Sequence, residues 1–148
     1  MTSAGETRDD LASLLAERDI RNLIARLAHL ADDGDLDEYL TLFTEDATWH
    51  RTMNDDRRAG HAELRAGAEE RRRDLIQGPG SGTRHLLAST WVAVDSDTEA
   101  RAESYYLYIG TDRPEGPDLR TTGRYRDTFR RVDGVWKMSS RTLIEKVN

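Results

Sequence analysis

The spacing of apolar residues changes once along this chain, at Gly78-Pro79-Gly80-Ser81-Gly82, and that change limits the fold to helices followed by sheet. Upstream, Leu11, Leu14, Leu15, Ile20, Leu23, Ile24, Leu27, Leu30 and Ala31 recur at intervals of three and four. This predicts one long amphipathic helix, with a break allowed near Arg18. It should stop near Asp33-Gly34, where glycine takes the left-handed conformation that closes a helix. Asp35 is a candidate N-cap for a short second helix over Leu36 to Phe43, which buries Leu36, Tyr39, Leu40 and Phe43. Ala47 to His50 reads as a first short strand and Met53 to Gly60 as a polar connection. A third helix is expected from His61 to Ile76.

Downstream of the glycines the period becomes two. Strands are expected over Thr83 to Val94 and Thr98 to Gly110, joined by a hairpin at Asp95-Ser96-Asp97. In the next strand Arg124, Arg126, Thr128 and Arg130 alternate with Gly123, Tyr125, Asp127 and Phe129, giving a solvated face and a more apolar one. Asp133-Gly134 is a hairpin signal, and a last strand covers Val135 to about Val147. A block of helices followed by an antiparallel meander is an α+β pattern.

With 148 residues the chain has room for one core, so residues 1–148 are read as a single domain with a flexible segment over 1–8. There is no cysteine, which excludes disulfides, thiolate metal sites and a cysteine nucleophile. The four histidines lack metal-ligand spacing, and neither a metal nor a cofactor is expected. A net charge of -6 argues against a general binder of nucleic acid or of anionic membranes. Arg120, Arg124, Arg126, Arg130 and Arg131, with the Arg71 to Arg73 run, form a basic exception. Stacking aromatics do not interleave with them on that face and the whole protein is acidic, which favours a solvated or subunit-contacting face over RNA. No basic segment leads into an apolar run, so the expected location is the cytoplasm.

Helices first, then long hairpins, with Leu42-Phe43-Thr44-Glu45-Asp46-Ala47 before the first strand and Asp133-Gly134-Val135-Trp136-Lys137 before the last, resembles the nuclear transport factor 2-like fold over about Leu15 to Lys146. That resemblance implies a cone-shaped α+β barrel, with N-terminal helices packed on a curved, mainly antiparallel sheet and a small-molecule pocket at its open end. Within it the chain is similar to the SnoaL-like group, whose relatives include scytalone dehydratase, hexachlorocyclohexane dehydrochlorinase, bile-acid dehydratases and polyketide cyclases. Three positions carry the match: Asp32 at the end of the first helix, His85 in Thr83-Arg84-His85, and Arg141 after the Trp136-Lys137 phrase. The histidine stands where the dehydratase and dehydrochlorinase relatives have their base. A second histidine and a tyrosine of scytalone dehydratase fall here near Ile109 and at Ala31, so that enzyme's full site is absent.

A histidine accepts a proton near neutral pH, and a carboxylate on its other nitrogen fixes the tautomer. Asp32 and His85 form such a dyad if they meet; otherwise Asp32 decorates a helix end beside Asp33 and Asp35, and His85 is a core histidine. Alternation places His85 with Leu87, Ser89 and Trp91 on one face, and Leu86, Ala88, Val92 and Val94 on the other. By helical phase, Asp32 lies a quarter turn or more from the centre of the buried stripe, toward a pocket rim. Arg141 either stabilises an enolate or leaving anion or makes a surface salt bridge, and its face is open. By the resemblance Tyr125 lines the pocket, with Trp49, Tyr106 and Tyr108 as further apolar wall.

The expected function is that of a cofactor-independent lyase or isomerase, of dehydratase, elimination or cyclase type, acting on a small hydrophobic or cyclic organic substrate. The same fold also serves as a non-catalytic carrier or assembly subunit, and that remains the alternative. The resemblance further implies a homodimer or homotrimer.

Overall fold

The computed structural model describes residues 4–145. Three helices, α1 (Ala4–Asp33), α2 (Leu36–Thr41) and α3 (Gly60–Arg73), pack on one six-stranded sheet made of β1 (Phe43–Arg51), β2 (Asp56–Ala59), β3 (Thr83–Val94), β4 (Glu99–Gly110), β5 (Asp118–Val132) and β6 (Val135–Ile144). The strand order is β2-β1-β6-β5-β4-β3. All neighbours are antiparallel except β1 and β6, which run parallel. The meander predicted from alternation is thus β3 to β6, and β1 joins it from the helical half of the chain.

Helix α1 runs unbroken through Arg18. Of the segment 1–8, residues 1–3 lie outside the described residues and 4–8 belong to α1. Its inward stripe, Ile20, Ile24, Leu27 and Leu30, is almost fully buried against Phe43, Phe129 and Met138. Each such side chain contributes about 1.5–3 kcal/mol by burial, and this stripe is what holds the helix on the sheet. The helix ends where expected, but Gly34 is not left-handed. Glycine is needed there for closeness instead: a Cβ would lie 2.6 Å from the Leu30 Cα. Arg72 completes the end by donating from Nη2 to the Leu30 and Gly34 carbonyls, at 3.0 and 2.7 Å.

Asp35 caps α2 as predicted, accepting from the Glu38 N–H at 2.9 Å. The helix stops at Thr41, and Phe43 opens β1 instead of closing α2. Helix α3 stops three residues before the expected Ile76. Leu75 takes φ 53°, and the Ile76 N–H turns back to the Arg71 carbonyl at 2.9 Å. That is a Schellman closure with leucine in the glycine position, so the apolar pair Leu75-Ile76 only mimicked a further turn.

Strand β2 lies inside the supposed polar connection. It is an edge strand of four residues with no apolar alternation, held by its ladder to β1 and by Arg58, which donates to Asp56 at 2.7 Å and Glu70 at 2.9 Å. Hydropathy carries no trace of such a strand. In β3 a bulge between Ala88 and Trp91, with Ser89 at φ 50°, reverses the alternation. His85 and Leu87 therefore share the inner side with Val92 and Val94, while Trp91, expected beside His85, is 43% exposed.

Candidate functional site

The last turn of α1 lies against the start of β3, and that contact brings Asp32 and His85 together. One Asp32 oxygen is 2.6 Å from His85 Nδ1 and the other accepts the His85 backbone N–H at 2.9 Å. A carboxylate only accepts, so in the neutral imidazole the proton sits on Nδ1 and the lone pair on Nε2. Asp32 is 5% exposed. The helical phase placed it toward a rim; β3 covers it, because the sheet reaches past the buried stripe at that end of α1. Arg72, by fixing the Leu30 and Gly34 carbonyls, holds the turn that carries it.

His85 opens on a pocket that is partly open to solvent. Leu27, Ala28 and Ala31 of α1 form one wall; Trp49, Leu87 and Leu143 of the sheet form another. Tyr106, Tyr108 and Tyr125 supply aromatic surface, so all four aromatic residues expected at a pocket border this one. Tyr106 and Tyr125 stack at 4.4 Å, and Tyr108 leans on the His85 ring at 4.8 Å. Burial raises all three phenols, Tyr106 to about 12, and Glu145 adds to the rise at Tyr106. They are therefore hydrogen-bond donors throughout the neutral range. The Tyr108 hydroxyl is shut off from solvent and lies near the Thr83 side chain, which opposes the rise of its pKa.

Three arginines reach this pocket and they differ in pairing. Arg141, whose orientation the sequence left open, faces inward and donates from Nε and Nη2 to the two Asp127 oxygens at 2.9 and 2.8 Å. Its guanidinium lies 3.9 Å from the centre of the Tyr125 ring, and Asp127 raises its pKa against the opposing effect of burial. Arg51 donates to Glu145 at 2.7 Å. Arg71, in the last turn of α3 and 4.9 Å over the Trp49 ring, has no carboxylate within salt-bridge distance among the described residues.

Asp127, Glu145, Gln77 and Arg71 were not singled out from sequence. Asp127 had a signal, being the one carboxylate on the inward phase of β5. Arg71 also had one: it falls seven residues after Leu64 and three after Ala68, the buried stripe of α3. Glu145 and Gln77 lie beyond the ends of regular elements, where periodicity says nothing.

The other histidines stand apart: His50 pairs with Asp55, His61 meets the Phe43 carbonyl, and His29 lies outside the pocket lining. No cluster of three or more His, Asp or Glu side chains suited to a metal occurs among the described residues. The basic strand face is largely neutralised on the surface, with Arg124 and Arg126 on Glu103, Arg130 on Asp46 and Arg120 on Asp112. No helix among the described residues is long and apolar enough to cross a membrane.

Helices on a curved six-stranded sheet, with a pocket between them, define a protein of the nuclear transport factor 2-like class. A nuclear transport factor 2-like protein with a cystatin-like fold from Novosphingobium aromaticivorans superposes with a TM-score of 0.83 at 26% identity, over 98% of this chain and 91% of that one. A scytalone dehydratase candidate from the same organism gives 0.72 at 24% identity, covering 92% and 87%. ActVI-ORFA from Streptomyces coelicolor gives 0.72 at 22%, covering 90% and 97%. No functionally curated protein matches the chain. The model of the SnoaL-like domain matches residues 12–142, and the chain belongs to that family.

Proposed function

We propose that this protein is a cofactor-independent lyase or isomerase for a small, largely apolar organic substrate, with His85 as its general base. One observation carries the reading: a histidine whose Nδ1 is held by a buried carboxylate at 2.6 Å borders the pocket, which leaves Nε2 as the basic nitrogen. Geometry of this kind suits removal of a proton next to a carbonyl.

Nε2 takes a proton from a carbon beside the carbonyl, and the C–H pair becomes the enolate. Asp32 stabilises the resulting imidazolium through Nδ1–H. The Tyr108 ring packs against the imidazole at 4.8 Å and helps to hold it on Asp32. If the next carbon bears a hydroxyl, the enolate expels it, His85 returns the proton, and water leaves. Without a leaving group, return of the proton to another carbon gives isomerisation. Arg141 acts at one remove: with Nε and Nη2 bound to Asp127, it positions the Tyr125 ring.

The observation against a purely structural subunit is the pocket itself, since such a subunit needs no unfilled cone. Deuterium exchange tests the reading with any enolisable ketone that the pocket admits. Cyclic ketones such as 2-tetralone are incubated with the protein in D2O and followed by mass spectrometry. Wild type should accelerate label uptake, and His85→Ala should lower that rate by about 10²-fold or more. Equal rates in the two proteins would remove His85 from the chemistry.

A further inference from the structure

Resting on the reading of this cavity as a ligand pocket, we propose that Arg71 makes it selective for ligands carrying a carboxylate, bound by the guanidinium while the rest of the molecule extends toward His85.

The pocket holds three guanidinium groups and only two of them are answered. Arg141 is gripped by Asp127 through two hydrogen bonds, and Arg51 by Glu145 through one. Arg71 borders the same cavity, yet no carboxylate comes within 4 Å of it among the described residues. Tyr39 and Arg58 border an adjoining hollow with it, and the charge of Arg58 is itself met by Asp56 and Glu70. Burial lowers the Arg71 pKa and outweighs the attraction of Tyr39 and of the more distant Asp56 carboxylate, as expected of a cation removed from water without a contacting counter-ion. Guanidinium nevertheless stays protonated, so the pocket carries a standing positive charge in an aromatic wall.

The helix is shaped around this group. Gly67, buried in the middle of α3, lies one turn before Arg71, and a Cβ there would sit 3.2 Å from Arg71 Nη1 and 3.7 Å from Arg58. Glycine at an interior helical position is less favourable than alanine, so the missing side chain at residue 67 has a local cost and its effect is room for the guanidinium. Trp49 forms the other side, with its ring face 4.9 Å from the guanidinium carbon. A planar cation fixed between a ring and a glycine is pre-organised for the two oxygens of a carboxylate.

The geometry also sets the ligand's shape. Arg71 leans on Trp49 of β1, whereas His85 belongs to β3, and three strands separate β1 from β3 in the sheet. A carboxylate at Arg71 therefore places the far end of an elongated, flat ligand near His85, between Tyr106 and Tyr108.

The test compares 2-naphthoate with the neutral 2-naphthamide by titration calorimetry on the full chain, which separates charge from shape. Wild type should bind the acid at least about 10-fold more tightly than the amide, the scale of one charge-assisted hydrogen-bond pair. Arg71→Gln should erase that preference and leave amide binding within about 3-fold. Arg73→Gln, the same change of charge at an exposed neighbour, should keep the preference. Arg71→Lys, which retains the charge and loses the planar fork, should fall between, and it preserves a readout if the glutamine variant folds poorly. Equal affinities in wild type, persistence of the preference in Arg71→Gln, or failure of both probes to bind would each overturn the proposal. His85→Ala is expected to keep the preference, so loss of proton abstraction and loss of carboxylate selectivity separate the two readings.

Discussion

Replacing Asp32 by asparagine tests the tautomer logic more sharply than removing the histidine. Asparagine keeps the shape and can still accept the His85 backbone N–H through its carbonyl oxygen. Its amide then presents N–H groups, not an oxygen, to Nδ1, at a site where the native separation is 2.6 Å. The ring is driven to the tautomer with its proton on Nε2, which is the nitrogen required to act as base. Loss of the general base costs about 10²-fold, and a locked wrong tautomer up to about 10⁴-fold, so the deuterium-uptake rate should fall into that interval. Stability should suffer far less. Two charge-assisted hydrogen bonds are exchanged for neutral ones, about 1–3 kcal/mol together, which lowers Tm by roughly 2–12 °C in a chain of this size. Asp32→Ala should melt lower still, because it leaves the His85 N–H buried without an acceptor. The assay is the exchange rate with 2-tetralone for both variants beside thermal melts by circular dichroism. An Asp32→Asn protein with a rate within about 3-fold of wild type would refute the tautomer mechanism, and Asp32 would then be only a clasp between α1 and β3.

Other perturbations probe separate parts of the molecule. Asp127→Ala leaves Arg141 buried and unanswered, and should cost about 3–5 kcal/mol, a Tm loss of roughly 6–20 °C in a thermal melt. Tyr108→Phe keeps the ring that packs on His85 and should leave the exchange rate within about 3-fold of wild type, whereas Tyr108→Ala, which removes that ring, should lower it by about 10-fold or more. Denaturant titrations at high pH should show stability falling between about pH 10 and 12. In that window the unfolded chain releases the phenol protons of Tyr106, Tyr108 and Tyr125 while the folded one, where all three are raised, retains them; the folded state binds more protons, so ΔG of unfolding decreases with pH. Constant stability across that range would contradict the burial of these rings.

Much of the fold was legible because it rests on periodicity. The stripe from Ile20 to Leu30 has to face a core, and alternation along β5 has to place Tyr125 and Phe129 inside; no partner is needed to read either. The SnoaL-like resemblance likewise named Asp32, His85 and Arg141 from short phrases. Local pattern could not show contacts made by chain closure. Nothing near β2 signals a strand, because its cohesion comes from the ladder to β1 and from Arg58, and the bulge at Ser89 reverses the face of Trp91 through backbone geometry alone.

What the sequence determined by itself, then, is the order of elements, one core and the residue types able to move a proton, since these follow from side-chain chemistry and spacing. Tertiary structure alone decided which charges meet. Asp32 and His85 are fifty-three residues apart and touch only because β3 docks on the end of α1; Asp127 claims Arg141 only because β5 and β6 pair in that register. The run Arg71-Arg72-Arg73 shows the reason most plainly. Three identical side chains stand at successive steps of about 100° around a helix, so one enters the pocket, one caps α1, and one stays in solvent.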